Sequence, residues 1–576
     1  MATEGTEEIK MEGAATDVVA LSPDTFGAGR LKRDIALRGL LFISLGSIIG
    51  SGWLLGALTA SQTAGPASSV SWIIAGLILA LLALVHAELG STYPVSGGTA
   101  RFPFLAFGAL GGFTGSWMAW VQAVTIAPIE VEASLGYIDS TSLNPGFVNT
   151  NGTLTGLGIA VGCAFMLVFT VVNVMGVRWL AETNTIATIW KLLIPTVTIV
   201  ALLIARFHSG NFTAGGGFAP DGAHGIFAAL PLGVVFALEG FEQAIQVGGE
   251  SRNPQRDIHR AVIISMIIGT IVYLLLEIAF IGAIQPGNVA HNWLHPIGKG
   301  NFGPYATLAT SAGLGWLATL LYIDAVISPG GTGLLYVGTS SRLSYGLGRN
   351  GYLPPVLGSI SDRGVPLISI GFCFVVGLLM FLPFPSWAGL VSLVTSATVL
   401  MYAMAPPSLA ALRRTDPDRP RPYRLPFAKL LAPMSFFFAN LIVYWAGWNT
   451  IFWLYLIIIF GIVVFAIYQA TARTKLSLNW RSAGWIPPWL IGLGLISYLG
   501  QFPSKATAPS SWTFGVVLLA KQTIPFWWDM AVIAAFSFAI YYLAVRYSQP
   551  THCVNEALEA AAEEMLVEER ELGAPA

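Results

Sequence analysis

Apolar residues run along this chain in blocks of about twenty, separated by short polar or proline-rich stretches. The blocks fall near 36–60, 67–90, 104–136, 156–176, 184–206, 225–248, 261–284 and 306–345, then near 366–384, 387–412, 431–448, 450–471, 484–502 and 526–546. About 20 predominantly apolar residues cross a hydrocarbon core about 30 Å thick. Each block therefore predicts a transmembrane helix, about fourteen in all. The weakest boundaries are at 431–471, where Gly447-Trp448-Asn449 could be a kink, and at 484–546, where Pro487-Pro488 shortens a span. The pattern divides the chain into a polar tail at 1–33, spans 1–10 at 34–412, a basic loop at 413–430, accessory spans at 431–546 and a second tail at 547–576.

The first tail carries Glu4, Glu7, Glu8 and Glu12 and no basic head before a short apolar core. It is expected to be a solvated cytoplasmic tail rather than a cleavable signal peptide. Glutamates at helical spacing in 555–571 predict a solvated amphipathic helix near the other end.

Composition agrees with the pattern. Of 576 residues, 55% are hydrophobic and 10% charged, and mean hydropathy is +0.69; a soluble domain has about 25% charged residues. The chain reads as an all-α polytopic membrane protein. A net charge of −1 excludes a nucleic-acid binder, which needs a basic face. Cys163, Cys373 and Cys553 are too few for a disulfide framework and are expected as free thiols. The sequons at Asn151 and Asn211 read as chance matches.

Positive charge orients the spans. Of the 29 Lys and Arg, Arg206, Lys299, Lys505 and Lys521 fall on outside loops if the N-terminus is cytoplasmic, and Lys191 falls within a span. All the others lie on cytoplasmic segments, as the positive-inside bias predicts. Both termini are thus expected in the cytoplasm. The basic loop 413–430 anchors this topology; an anionic-lipid role for Arg413 and its neighbours is the weaker alternative.

Two spans carry their own interruptions. The first reads Gly46-Ser47-Ile48-Ile49-Gly50-Ser51-Gly52, and the sixth reads Phe236-Ala237-Leu238-Glu239-Gly240-Phe241-Glu242. Glycines and serines at mid-span favour unwinding, and paired interruptions in corresponding spans point to a transporter site. Unwound backbone is tolerated in hydrocarbon only where it lines a cavity. The half-helix beginning after Gly50 aims its positive end at that cavity, which suits a carboxylate. Free carbonyls of the sixth span suit an ammonium, and together they fit an α-amino acid. Close helix packing through small residues is the competing account of the glycines.

These residues carry a resemblance. Gly46–Gly52 is similar to the first-helix signature of the amino acid–polyamine–organocation transporter superfamily. Glu88-Leu89-Gly90 with Tyr93-Pro94-Val95-Ser96-Gly97-Gly98 resembles its second-helix end and first cytoplasmic loop. Gly240-Phe241-Glu242 with Gly249–Pro254 and Arg256–Ile258 resembles its sixth-helix exit, and Ser341–Pro354 the end of its eighth helix. The resemblance implies a five-plus-five inverted repeat (LeuT-like), alternating access and amino-acid or amine substrates. The two spans beyond the usual twelve resemble the bacterial aspartate–proton symporter branch. Site residues implied on the first break are Ser47, Ile48, Gly50, Ser51 and Gly52. On the sixth span they are Phe236, placed where the family has an aromatic lid, Ala237 and Glu239.

Ionisable residues inside a span are functional candidates. Lys191, in Trp190-Lys191-Leu192-Leu193-Ile194-Pro195, either snorkels to the headgroups or holds its ammonium against carbonyls of the first break. The second placement resembles proton-coupled family members and makes Lys191 a proton-coupling residue. Glu239, where the family more often has an apolar residue, either protonates or touches the substrate, or turns outward onto a neighbouring helix. Glu242 is expected to brace helices, Glu130 and Glu132 to face an outer vestibule, and His86 to pack. No Walker loop, Gly-x-Ser-x-Gly or paired histidine motif appears, so no catalytic residue, metal or cofactor is expected, and an enzyme is not.

The sequence therefore reads as a cell-membrane permease carrying an amino acid by proton symport, its partners being substrate, proton and lipid bilayer. Amino acid–amine exchange and a non-transporting amino-acid sensor on the same scaffold are the alternatives. An acidic substrate would need a cationic contact, for which only Lys191 is available.

Overall fold

The computed structural model describes residues 35–555 except 95–96, 142, 151, 176, 299–300, 362–364, 383–386, 472–475, 477, 503–518 and 553, with backbone only at 177–186. The first tail, residues 556–576 of the second tail with nearly all of its expected helix, Asn151, Cys553, Lys299 and Lys505 lie outside the described residues. Cys163 and Cys373 are free thiols. Asn211 is buried, its side-chain amide donating to the carbonyls of Ile281 and Ile284 at 2.8 Å each, so it presents no acceptor to solvent.

The first apolar block is two helices, α1 (Leu37–Ile48) and α2 (Gly52–Ala64). A turn at Gly65-Pro66-Ala67, with Gly65 at φ 59°, reverses the chain into α3 (Ser68–Thr92). There follow α4 (Gly98–Asp139), α5 (Gly156–Met175) and α6 (Val177–Ala205). The sixth block comprises α7 (Gly222–Ala229), a π-turn at Leu230–Val234, α8 (Val235–Leu238) and, past a break, α9 (Gln243–Gln246). Next come α10 (Pro254–Ala283), two short helices α11 (Pro286–Val289) and α12 (Pro304–Ser311), α13 (Gly315–Arg349), α14 (Leu367–Met380), α15 (Trp387–Ala403) and α16 (Ala405–Thr415). The C-terminal part holds α17 (Ala428–Trp445), α18 (Gly447–Thr471), the short α19 (Trp480–Ala483), α20 (Ile486–Leu499) and α21 (Trp528–Arg546).

Among the described residues, ten helical stretches are long and apolar enough to cross a membrane. Leu37–Ile48, Gly222–Leu238 and Leu367–Met380 are apolar but shorter. The first and sixth blocks miss the length because each is interrupted. No strand forms among these residues, only isolated bridges at Ile35–Ser251 and Val148–Leu154. Polytopic helical architecture follows from the chemistry of the chain, since a helix satisfies its backbone polar groups internally where no water can.

Position in the bundle follows from how much of each helix is apolar and covered. In the stretch through α15, 94% of the apolar window is buried, against 33% in α18. A helix apolar all round and fully covered is central, whereas α18 exposes Leu456, Ile459, Phe460, Val463 and Ile467, the face expected against lipid. The centre is built by α4 against α13 and α15, and by α3 against α10. α4 would be about 63 Å long if straight. It kinks at Gly108, where φ is 77° and ψ −164°, a conformation that favours glycine. The two interrupted blocks are pinned at one end: Ile35 donates its N–H to the Glu250 carbonyl at 3.1 Å, and Arg252 returns a bond to Ile35 at 2.9 Å.

Candidate functional site

Both interruptions are real breaks and they face each other. α1 ends at Ile48, Ile49 leaves the helical region (φ −92°, ψ 80°), and α2 restarts after Ser51. α8 ends at Leu238, Glu239 is extended (φ −71°, ψ 154°) and Gly240 has φ 120°. That conformation suits glycine alone. Space gives a second reason: a Cβ on Gly240 would lie 2.7 Å from Ser47 Oγ and 2.8 Å from the Ile48 nitrogen. A Cβ on Gly52 would lie 2.7 Å from Ala237 Cα. Glycines at both breaks thus permit backbone to touch backbone across them.

Side chains from three other helices, α6, α10 and α13, hold the end of α1 at the first break. Lys191 on α6 is buried, and its ammonium donates to the Gly46 carbonyl at 2.8 Å and to Thr332 Oγ1 of α13 at 2.6 Å. Tyr273 of α10 donates its hydroxyl to the Ile48 carbonyl at 2.8 Å. Ser47 Oγ donates to Tyr336 Oη of α13 at 2.8 Å. Each bond satisfies a group that unwinding or the membrane interior would otherwise strand.

Glu130 of α4 occupies the start of α2. Its carboxylate accepts the Ser51 backbone N–H at 2.7 Å and the Ser51 hydroxyl at 3.1 Å, while Trp387 Nε1 donates to the same hydroxyl at 3.1 Å. A Cβ on Gly50 would lie 2.7 Å from Glu130 Oε1. The expected outer vestibule for Glu130 and Glu132 is therefore corrected. Glu130 is 1% exposed and Glu132 4% exposed, both in the interior. The Ser51 N–H expected to be open for a substrate carboxylate is engaged by a carboxylate of the protein itself. An anion at a helix N-terminus is favoured by the exposed N–H groups and the dipole together.

The second break is arranged around two glutamates. Glu242 accepts from the Gly240 N–H at 3.0 Å, from Tyr402 at 2.5 Å, from Gln243 at 3.3 Å and from Tyr336 at 3.4 Å. It joins α9, α13 and α15. Glu239 is buried beside Thr398 and Glu242, yet neither carboxyl oxygen makes a hydrogen bond among the described residues. The Thr398 hydroxyl is committed to the Val394 carbonyl at 2.9 Å. Phe236 packs edge-on against Trp387, ring centroids 5.9 Å apart. His86 is buried, bonded through Nδ1 to the Leu82 carbonyl and edge-on to Phe241 and Tyr402.

The structure thus brings Ser47, Ile48, Gly50, Ser51, Gly52, Ala237 and Lys191 into one contiguous region with Glu130 and Thr332, and sets Phe236 at its Trp387 edge. Glu239 lies toward Thr398 of α15 and joins none of these hydrogen bonds. Glu130, Thr332, Tyr336 and Trp387 were not foreseen as members. The available signal was polar residues at four-residue spacing in the eighth block, and a carboxylate inside the third.

Residues 35–491 match the family model described as amino acid permease. The chain is 36% identical over 539 residues to the glutamate/serine transporter AimA of Bacillus subtilis, covering 92% of this chain and 96% of that protein. It is 36% identical over 533 residues to the aspartate-proton symporter of the same organism, covering 92% and 99%. The branched-chain amino acid permease BcaP of Bacillus subtilis is 26% identical over 464 residues.

Proposed function

The chain belongs to the amino acid permease family and is a multi-pass membrane protein, and from that premise we propose that it moves an amino acid across the cell membrane by proton symport. The proposal includes a five-plus-five inverted repeat, about fourteen spans, alternating access and both termini in the cytoplasm. The two facing breaks five spans apart, and the bias of basic residues, support it. Aspartate, glutamate and serine are the first substrates to test, because two relatives at 36% identity are named for them.

The observation that carries the coupling is Lys191. A protonated ammonium reaches the Gly46 carbonyl and Thr332 together, and so ties the first break to α13 as a bound cation would. Glu130 supplies the other half. A substrate carboxylate and the Glu130 carboxylate compete for the Ser51 N–H, and two carboxylates cannot crowd one buried site unless a proton neutralises one of them. Protonation of Glu130 thus clears the helix end for the substrate. Glu239, buried with neither oxygen hydrogen-bonded among the described residues, is a second proton-accepting position, beside α15.

The test is uptake of radiolabelled aspartate, glutamate and serine into proteoliposomes, with and without an inward proton gradient. Concentrative uptake is expected only with the gradient. Uptake of equal extent with the gradient collapsed by an ionophore would refute symport and leave exchange or facilitated diffusion.

A further inference from the structure

α13 presents Asp324, Ser328, Thr332 and Tyr336, one every four residues and all buried. At 3.6 residues per turn this spacing makes a single stripe about 18 Å long. Thr332 and Tyr336 hold the first break. Asp324, two turns before Thr332, is 0% exposed and has no part in the contacts described so far. Its Oδ1 accepts from Trp190 Nε1 at 2.7 Å and from Ser328 Oγ at 2.6 Å, and its Oδ2 meets the distance and angle of a hydrogen bond with none of the described residues. Trp190 is the chain neighbour of Lys191. Consecutive residues of α6 therefore grip the Asp324 carboxylate and the Gly46 carbonyl.

Both bonds at Asp324 are accepted, and the further polar group beside it, the Trp53 indole, is a donor as well. That geometry fits an ionised carboxylate, which persists in a buried site only with a cation within reach. Lys191, the chain neighbour of Trp190 on α6, is the cation whose charge reaches both Asp324 and Glu130, while its direct bonds go to Gly46 and Thr332. One ammonium thus stands among two carboxylates. Tyr137 of α4 and Tyr322 of α13 itself are the other titratable groups near this end, and Trp53 of α2 lies beside Asp324. Tyr273 of α10 faces Glu130.

We propose that Asp324 is the standing counter-ion of Lys191, a positioning residue that keeps the ammonium charged while Glu130 gains and loses the proton that travels with substrate. Charge counting gives the stoichiometry. With Asp324 balancing Lys191, an ionised Glu130 leaves the cluster at −1. A substrate carboxylate arriving at Ser51 restores the same −1 only if Glu130 takes up one proton, its carboxylate becoming a carboxylic acid. One proton then enters per carboxylate bound, and is released when the substrate leaves and Glu130 returns to Ser51.

This rests on the proton-coupled reading above, and the test separates the two. Asp324→Asn keeps the shape and an oxygen for both donors but removes the charge. Uptake is measured in proteoliposomes across external pH 5 to 8, beside counterflow at equal pH. Without Asp324, Glu130 becomes the ammonium's partner and stays ionised to lower pH, so the half-point of uptake should move at least about one pH unit toward acid. Ser328→Ala, which removes one donor and keeps the carboxyl, should move it the same way by less, and carries the test if the first variant does not fold. A variant profile superimposed on the parent's would overturn the counter-ion role. Lys191→Ala in the same assay addresses the underlying reading: full proton-driven accumulation there would remove proton coupling through Lys191 altogether, whatever Asp324→Asn does.

Discussion

Replacing Glu130 by glutamine tests whether a resident carboxylate guards the substrate position. Glu130 accepts two bonds from Ser51, at 2.7 and 3.1 Å. In Glu130→Gln the amide oxygen can still accept the Ser51 N–H, and the amide nitrogen can donate to the hydroxyl. Both contacts survive as neutral bonds. Hydrogen bonds to charged groups contribute about 1.5–3 kcal/mol and neutral ones about 1, so the two together lose about 2 kcal/mol. That loss becomes the substrate's gain, because its carboxylate now displaces a weaker occupant. At 1.4 kcal/mol per decade the affinity should rise about 30-fold. The sign depends on pH. Above the pH at which the parent protonates Glu130 the variant should bind more tightly, and below it the two should converge. Equilibrium binding of aspartate, glutamate or serine to purified protein at pH 5.5 and 7.5 measures both, with proton-driven uptake in liposomes expected to be lost. Weaker binding by Glu130→Gln at both pH values, with the parent's pH dependence intact, would refute the competition and make Glu130 a substrate ligand or a brace.

Lys191→Ala removes the ammonium from Gly46 and Thr332 and should abolish accumulation against a gradient; concentrative uptake at the parent's level would place the coupling elsewhere, with Glu239 the first candidate. Glu239→Gln removes a buried ionisable carboxyl at nearly constant volume and should alter the rate and pH profile of uptake; parental rates from pH 5 to 8 would make Glu239 structural. Gly240→Ala combines an unfavourable φ of 120° with a Cβ 2.7 Å from Ser47 Oγ and should cost about 2–4 kcal/mol, read as a lowered Tm in detergent together with lost uptake. Arg413→Ala leaves Glu88, 1% exposed, without the guanidinium that bonds both its oxygens, at 2.8 and 2.5 Å. About 3 kcal/mol of destabilisation should follow, moderated by Arg421 at 3.6 Å and the Leu425 N–H, and an unchanged Tm would show the pair to be dispensable.

What the sequence made legible was local. Gly50, Gly52 and Gly240 marked the breaks because close approach at the first two and positive φ at the third are requirements a single residue meets or fails. Lys191 stood out because a lone cation within an apolar block has few places to go. Depth in the membrane was misjudged where a helix outruns the bilayer. From its kink at Gly108 to Asp139, α4 is about 46 Å long, well over the hydrocarbon thickness, so position within its apolar block does not give depth. Glu130 is nine residues, about 14 Å, from that end, which lets a residue near the end of its block sit at the first break. Asp324 had the same signal as Lys191, a charge inside a block, but there the block ran to forty residues and concealed it. Its meaning also depended on Trp190, 134 positions earlier, turning its indole toward α13. A charged residue in a span can be flagged from sequence, whereas its counter-charge is decided by which faces of two helices meet. Here those faces set two carboxylates around one ammonium, and the substrate's own carboxylate is the group that would change that balance.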